Sequence, residues 1–238
     1  SAIFQAMQGS PSKSAVKKII LTASGGPFFG KTLEELEHVT AADALKHPNW
    51  DMGQKITIDS ATMMNKGLEF IEAMWLFSLQ PEQIEIVVHP QSIIHSAVEF
   101  QDGAVIAQLG LPDMQIPIQY ALTWPDRYPI KGESLSLTDC GKLTFIEPDY
   151  RAFACLRHCR RAADKGGLYP CAVNSANEQA VSLFLAGKIG FGDIGRSVGY
   201  VLDGLHCKEE DTYTLTEVLD TAETARQMVL EYCKTSPE

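Results

Sequence analysis

Residues 60–77 form an apolar segment that is interrupted by a narrow stripe of polar side chains, and this pattern permits few folds. Its hydrophobic side chains predict a helix that begins at Ser60 and buries most of its surface. Because successive helical residues advance by about 100°, its four polar side chains would fall within an arc of about 120°. Those four are Asn65, Lys66, Glu69 and Glu72.

Charges on such an apolar helix need an explanation, because a buried charge is costly unless it is paired or bound to a ligand. Lys66 could form an internal ion pair with Glu69 or Glu72, since all three lie on this helical face and Glu69 is three residues from Lys66. The stripe could equally line a binding site. This segment alone leaves both interpretations open.

A possible anion-binding loop follows a predicted strand at residues 17–23. Ser24 and the next two glycines can turn the backbone so that N–H groups face an anion, although a plain turn would also explain them. Ser60, at a predicted helix N-terminus, would add free N–H groups. With Asn65 and Lys66 these residues predict a phosphate pocket, and a carboxylate beside it, Glu69, suggests a metal or proton-transfer role.

The segment between these features, residues 47–55, is predicted to be a loop that leads into a strand at residues 56–58. Trp50 and Met52 would be poorly placed in water on such a loop. They either pack into the core or form a lid over a ligand.

Four motifs together resemble one known family, 1-deoxy-D-xylulose 5-phosphate reductoisomerase. They are SGGPF at 24–28, HPNWDMG at 47–53, DSATMMNKGLE at 59–69 and HPQSIIHS at 89–96. The resemblance runs through the whole chain. It implies an NADPH-dependent enzyme that converts 1-deoxy-D-xylulose 5-phosphate to 2-C-methyl-D-erythritol 4-phosphate in non-mevalonate isoprenoid biosynthesis. It also implies a Mn or Mg cofactor, inhibition by the phosphonate fosmidomycin, and a homodimer.

The resemblance assigns roles to matched positions. Glu69 is expected to be a metal ligand, and Glu69, Lys66 and His47 are the expected catalytic residues. Glu72 would lie next to the residues that bind the ligands and would orient them. Substrate contacts are expected from Ser24, His47, Ser60, Asn65, Lys66 and Glu69.

The loop at residues 47–53 also gains roles from the resemblance. Trp50 and Met52 would belong to a flexible flap that closes over the substrate. Gly53 would lie near the nicotinamide cofactor.

The sequence departs from the family pattern at its beginning. The Asp-Ser-Glu-His run that supplies two further metal ligands is absent before Ser1, and no Gly-x-Gly-x-x-Gly loop opens a βαβ unit. We therefore expect a truncated polypeptide that lacks the NADPH-binding domain. Since Mg or Mn sites typically use more than one carboxylate, this chain alone is expected to hold metal weakly and to be inactive.

Composition excludes several classes of protein. A net charge of −10 argues against nucleic acid or an anionic membrane as partner. No apolar run approaches the ~20 residues that span a bilayer. The expected location is the bacterial cytoplasm, or a plastid if a transit peptide preceded Ser1.

None of the six cysteines lies in a C-x-x-C pattern, so free, mostly buried thiols are expected.

The predicted architecture is α+β, with three parts. A mixed sheet-helix catalytic domain covers residues 1–123, and it includes a hairpin around Asp102-Gly103 with His95 on its first arm, as a sheet residue. A connector rich in Pro and Gly covers 124–149. A C-terminal four-helix bundle covers 150–238, since helix start and stop signals recur there. Asn174, Asn177 and Glu178 would lie on its solvated face or at a domain contact.

Two other functions remain for this chain. It could be a phosphosugar-binding module without catalysis, or a dimerisation fragment with a collapsed pocket. The second predicts disorder at residues 47–54, since a lid with nothing to close on gains little from ordering. A hydrolase is disfavoured, because no Gly-x-Ser-x-Gly elbow or Cys/His nucleophile arrangement is present.

Overall fold

The structure, a computed structural model, describes residues 1–10, 12–46, 52–207, 210 and 212–235. The chain forms two compact units, and each contains two separate segments of sequence. The first unit comprises Ser1–Ser24 and Glu82–Pro148, and the second comprises Gly25–Pro81 and Asp149–Glu238. Both helices and a mixed sheet are present, which confirms the α+β class.

The first unit is built on a four-stranded sheet with the strand order β2-β1-β3-β4. Strand β1 pairs with β2 in parallel and with β3 antiparallel, and β3 pairs antiparallel with β4. The helices and strands of this unit are α1 (Ala2–Met7), β1 (Val16–Ala23), β2 (Ile84–Val88), β3 (Ile94–Phe100), β4 (Val105–Leu109) and α6 (Gln115–Thr123).

The β3–β4 hairpin is present as predicted. Gly103 has a φ of 87°, and the backbone N–H of Ala104 donates to Asp102 Oδ1 at 3.0 Å. Asp and Gly suit this turn because Gly accepts a positive φ and Asp bonds the backbone two residues on. His95 lies on β3, the first arm.

The second unit is helical. Helix α5 packs on α7 and helix α4 packs on α8. Helix α8 packs on α7, α9 and α10, and α9 also packs on α7 and α10, so that α7 to α10 form the predicted four-helix bundle. Its helices are α2 (Leu33–Leu36), α3 (Ala41–Ala44), α4 (Gln54–Ala61), α5 (Met64–Phe77), α7 (Ala154–Lys165), α8 (Tyr169–Leu185), α9 (Phe191–Gly204) and α10 (Leu215–Thr235).

The start and stop signals read from the sequence explain the bundle helices. Thr214 and Glu217 form a capping box at α10, since the Glu217 N–H donates to Thr214 Oγ1 and the Thr214 N–H donates to Glu217 Oε2. Gly166, with a φ of 69°, ends α7. Pro170 lies in the first turn of α8, where its missing N–H has no helical partner to lose.

The predicted strand at residues 56–58 is wrong, because these residues belong to helix α4. Alternating Ile and Thr favoured a strand locally, but tertiary packing fully buries Ile58 in a helix. The Thr57 hydroxyl donates to the Gly53 carbonyl at 2.9 Å, one helical turn back.

The predicted helix start at Ser60 is also wrong. Ser60 lies in the last turn of α4, and the following helix, α5, begins at Met64. Helix α5 is also less buried than expected, because the side chains of Trp75 and Leu76 are exposed.

The compact units do not follow the predicted division at residues 123 and 149. Residues 25–81, expected in a catalytic domain, pack with the helical bundle, whereas residues 124–149 belong to the unit that contains the sheet. Residues 124–149 contain no helix and no strand beyond one bridge between Val88 and Ile146. The functional division into three parts stays a prediction.

All six cysteines are free, as expected, but only Cys155 and Cys159 are buried. The other four are partly exposed, so the expectation of mostly buried thiols is wrong. Within the part of the chain that the structure describes, no helix is long and apolar enough to cross a membrane.

A buried histidine gives the helical unit a predicted pH dependence. Burial, with the nearby charges of Arg157 and Arg161, lowers the pKa of His158 from 6.5 to about 4, although Asp203 opposes the shift. The unfolded chain therefore binds this proton near pH 6.5 and the folded chain does not. Above pH 6.5 this histidine therefore does not reduce the free energy of unfolding. As the pH falls from 6.5 to 4, the free energy of unfolding decreases by up to about 3 kcal/mol.

Replacing His158 by glutamine should flatten the change in stability between pH 7 and pH 5, because the amide does not titrate. Urea-unfolding midpoints at both pH values measure this. His38→Gln is the matched control, since His38 is exposed. An unchanged pH dependence in His158→Gln would contradict the assignment.

Candidate functional site

A sharp elbow joins α4 to α5 and positions the polar stripe. Met63 adopts a left-handed conformation with φ 60° and ψ 10°, which is uncommon for a residue with a side chain. The Thr62 hydroxyl stabilises the end of α4 by donating to the Ile58 carbonyl at 3.1 Å. The elbow turns the chain between Ser60 and Lys66.

The first turns of α5 carry a polar cluster. Asn65 Nδ2 donates to Glu69 Oε1 at 2.7 Å, and Lys66 Nζ forms an ion pair with Glu69 Oε2. The Lys66 side chain is only 12% exposed, whereas that of Glu69 is 37% exposed. The internal ion pair considered from the sequence therefore exists, and it holds the ammonium group in a largely buried position beside a more accessible carboxylate.

Glu72 lies one turn beyond Glu69 on the same face. Partial burial, together with the Glu69 carboxylate, raises the pKa of Glu72, while Lys66 opposes the increase. The stripe thus places two carboxyl groups, Glu69 and Glu72, beside one cation, Lys66. Such a cluster can bind an anion through Lys66 and a cation through Glu69.

The glycine loop after β1 has the backbone freedom that was predicted. Gly25 and Gly26 have φ values of 84° and 65°. A side-chain carbon at Gly26 would lie 2.7 Å from the Ser60 carbonyl oxygen. This loop therefore packs directly on the last turn of α4. Ser24 precedes it in the other compact unit.

The remaining predicted positions lie around residues 47–53. His47 and Trp50 are outside the described residues. Met52 is half-buried, and Gly53 is the N-cap of α4 in an extended conformation. The prediction of disorder at residues 47–54 stays a prediction.

A buried polar contact that sequence reasoning missed lies behind this site. Asp59 is 2% exposed and Asn177, on α8, is completely buried. Asn177 Nδ2 donates to Asp59 Oδ1 at 2.8 Å, and Lys55 Nζ pairs with Asp59 Oδ2 at 2.6 Å. Of the two placements predicted for Asn177, a solvated face or a domain contact, its burial against Asp59 excludes the solvated face. The spacing of Lys55 and Asp59 was visible in the sequence, but the partner across 118 residues was not.

The described residues do not by themselves fit a divalent metal ion. Among them, no group of three His, Cys, Asp or Glu side chains is arranged to hold one. Glu69 already has both carboxylate oxygens engaged by Asn65 and Lys66. Mg or Mn requires about six oxygen ligands, so Glu69 alone is insufficient.

A glycine-rich pattern at the start of α9 does not fit the pyrophosphate of a dinucleotide. One Gly-x-Gly-x-x-Gly pattern occurs at residues 190–195, but it begins at Gly190, the N-cap of α9, and continues into that helix, and the element before it is helix α8 rather than a strand. At this helix start Asp193 Oδ2 already accepts from the Gly190 N–H at 2.9 Å. A carboxylate there would repel a pyrophosphate.

Two family models match the chain. One, described as the 1-deoxy-D-xylulose 5-phosphate reductoisomerase C-terminal domain, matches residues 1–77. The other, described as the DXP reductoisomerase C-terminal domain, matches residues 109–228, half of the chain. The chain belongs to the DXP reductoisomerase family. The motifs quoted from the sequence therefore indicated the correct family.

Curated DXP reductoisomerases agree closely with this sequence. The proteins of Nostoc punctiforme and Acetivibrio thermocellus are 54% and 53% identical over 97% and 98% of the chain. The chain spans 58% and 61% of their lengths.

Solved DXP reductoisomerase structures share the fold. The Zymomonas mobilis enzyme in complex with NADPH has a TM-score of 0.90 and 43% identity, over 99% of this chain and 60% of its own. A DOX-P reductoisomerase in complex with NADPH, fosmidomycin and magnesium has a TM-score of 0.88 and 44% identity, over 92% of this chain and 56% of its own.

Proposed function

We propose that this chain supplies the substrate-binding part of an enzyme that converts 1-deoxy-D-xylulose 5-phosphate to 2-C-methyl-D-erythritol 4-phosphate with NADPH. The observation that carries the proposal is the Asn65–Lys66–Glu69 cluster on α5, within a motif typical of the family. A largely buried ammonium group beside a half-exposed carboxylate suits a substrate that carries a phosphate and interacts with a metal ion.

The phosphate is proposed to contact Lys66 and Asn65 at the start of α5, together with the hydroxyls of Ser24 and Ser60. The packing of Gly26 on the Ser60 carbonyl supports this, because it brings the glycine loop to the end of α4. His47 is proposed to contact the substrate. Trp50 and Met52 would form the flap, and Gly53 would approach the nicotinamide.

Glu69 is proposed to supply one oxygen ligand to a Mg or Mn ion. The described residues lack a complete ligand set, so the other protein ligands would come from outside them. NADPH would likewise bind to a part of the enzyme that this chain does not match. Relatives crystallised with NADPH, fosmidomycin and magnesium support this assignment.

A second copy of the chain is the proposed partner. Exposed apolar residues on the edge strand β4, Val105 and Ile106, support an interface on the sheet unit. A cytoplasmic location is proposed because the relatives are bacterial.

Turnover measurements test the proposed function. The purified chain is compared with a longer polypeptide in which it follows the nucleotide-binding part of a family member. With substrate, Mn and NADPH, only the longer polypeptide should oxidise NADPH, measured by absorbance. The chain alone should still bind fosmidomycin, as seen by phosphorus NMR.

Two outcomes would contradict this proposal. If neither polypeptide turns over, the assignment of the reaction to this chain is wrong. If the chain alone turns over, residues other than those assigned here hold the metal and the cofactor.

A further inference from the structure

Asp59 is a charged residue that is buried next to the proposed substrate site. Its carboxylate is almost fully buried, and it directly precedes Ser60 at the end of α4. A buried carboxylate requires donors, because desolvation strongly penalises an unpaired charge. Lys55, from the same helix, and Asn177, from α8, provide them.

The contact also fixes the orientation of the Asn177 side-chain amide. Its side chain is completely buried, and its Oδ1 atom accepts no hydrogen bond from any described residue. The reversed amide would place this oxygen against the Asp59 carboxylate, and two acceptors would repel each other. Only the observed orientation works, so the pair requires an amide on one side and a carboxylate on the other.

We propose that Asn177 is a positioning residue for the substrate site. It fixes α4, and hence Ser60, against the helical bundle. A separate contact fixes α5 on α7, where Gly67 packs on Cys159. The two contacts lie on opposite sides of the Met63 elbow. Together they set the angle between α4, which carries Ser60, and α5, which carries Lys66. Both side chains can then reach one phosphate group. This inference rests on the proposed function of those two residues.

Four variants of the 238-residue chain test the inference. Asn177→Asp places two carboxylates face to face, and Asn177→Leu removes the hydrogen bond while keeping a similar volume. The double variant Asp59→Asn with Asn177→Asp restores an amide–carboxylate pair in the reverse direction. Asn174→Leu is the matched control on the same helix, since Asn174 bonds Glu178 rather than α4.

Fosmidomycin affinity, measured by phosphorus NMR titration, is the first readout. We expect a loss of about tenfold or more in Asn177→Asp and Asn177→Leu, consistent with a charge-assisted hydrogen bond. The double variant should recover most of the affinity, and Asn174→Leu should match the parent chain. Circular dichroism confirms that each variant is folded. Folded Asn177→Leu with parental affinity would overturn the inference.

Amide hydrogen exchange of residues 59–66 is the second readout, and it needs no ligand. Asn177→Leu should accelerate exchange there and leave the rest of α8 unchanged, whereas the double variant should restore protection. If the parent chain fails to bind fosmidomycin but this pattern appears, the proposed function fails and the positioning role stands. Unchanged or uniformly faster exchange would overturn the positioning role. If Asn177→Asp does not fold, Asn177→Leu alone decides.

Discussion

Replacing Gly67 by valine is expected to destabilise the chain by about 3 kcal/mol. A side-chain carbon at position 67 would lie 2.6 Å from both Cβ and Sγ of Cys159. Both groups are buried where α5 packs on α7, so neither has room to move. Urea unfolding followed by circular dichroism measures the effect.

The control for Gly67→Val is Gly53→Val. Gly53 has a φ of −61°, and no atom of the described residues lies within 4 Å of a side-chain carbon built there. Gly67→Ala should be destabilising as well, and a second change, Cys159→Gly, should reverse part of its cost by removing both contacting atoms. Equal unfolding midpoints for Gly67→Val and the parent chain would show that the two helices are not in close contact.

Replacing Lys66 by methionine is expected to weaken fosmidomycin binding by about 10- to 100-fold. The expected loss follows from removing a charge-assisted hydrogen bond, worth about 1.5–3 kcal/mol, from a largely buried position. Phosphorus NMR titration of the chain and the variant compares the two affinities.

Lys46→Met is the matched control for this substitution. Lys46 is 75% exposed and pairs with Asp43 at 3.3 Å, so its loss should leave phosphonate binding unchanged. An equal loss in both variants would indicate that net charge, rather than a local contact, governs binding. Unchanged affinity in Lys66→Met would remove Lys66 from the proposed phosphate site.

Elements with local signals could be predicted from the sequence. The Asp102-Gly103 turn, the capping box at Thr214 and the glycine stop at Gly166 each depend on residues a few positions apart. Such signals determine the hairpin and the bundle helices wherever tertiary packing agrees with them.

The elbow in the candidate site could not be predicted in this way. A left-handed residue is normally signalled by Gly or Asn, but position 63 is a methionine. The elbow is compatible with the packing of Gly26 on Ser60 and of Gly67 on Cys159, which are contacts between distant parts of the sequence. The polar stripe itself was predicted correctly, since Asn65, Lys66 and Glu69 meet on one helical face.

The second unit is assembled from two segments that are far apart in the sequence, and this has a consequence for synthesis on the ribosome. Met64 on α5 contacts Cys159 on α7, and the two are 95 residues apart. At a translation rate of about 5–20 residues per second, residue 159 of α7 is synthesised roughly 5–20 s after α5. Helix α5 is not covered by α7 before then. During that interval its apolar face is available to chaperones or to neighbouring nascent chains. Slowed translation before residue 159 should therefore lower the yield of folded chain more than the same delay after it.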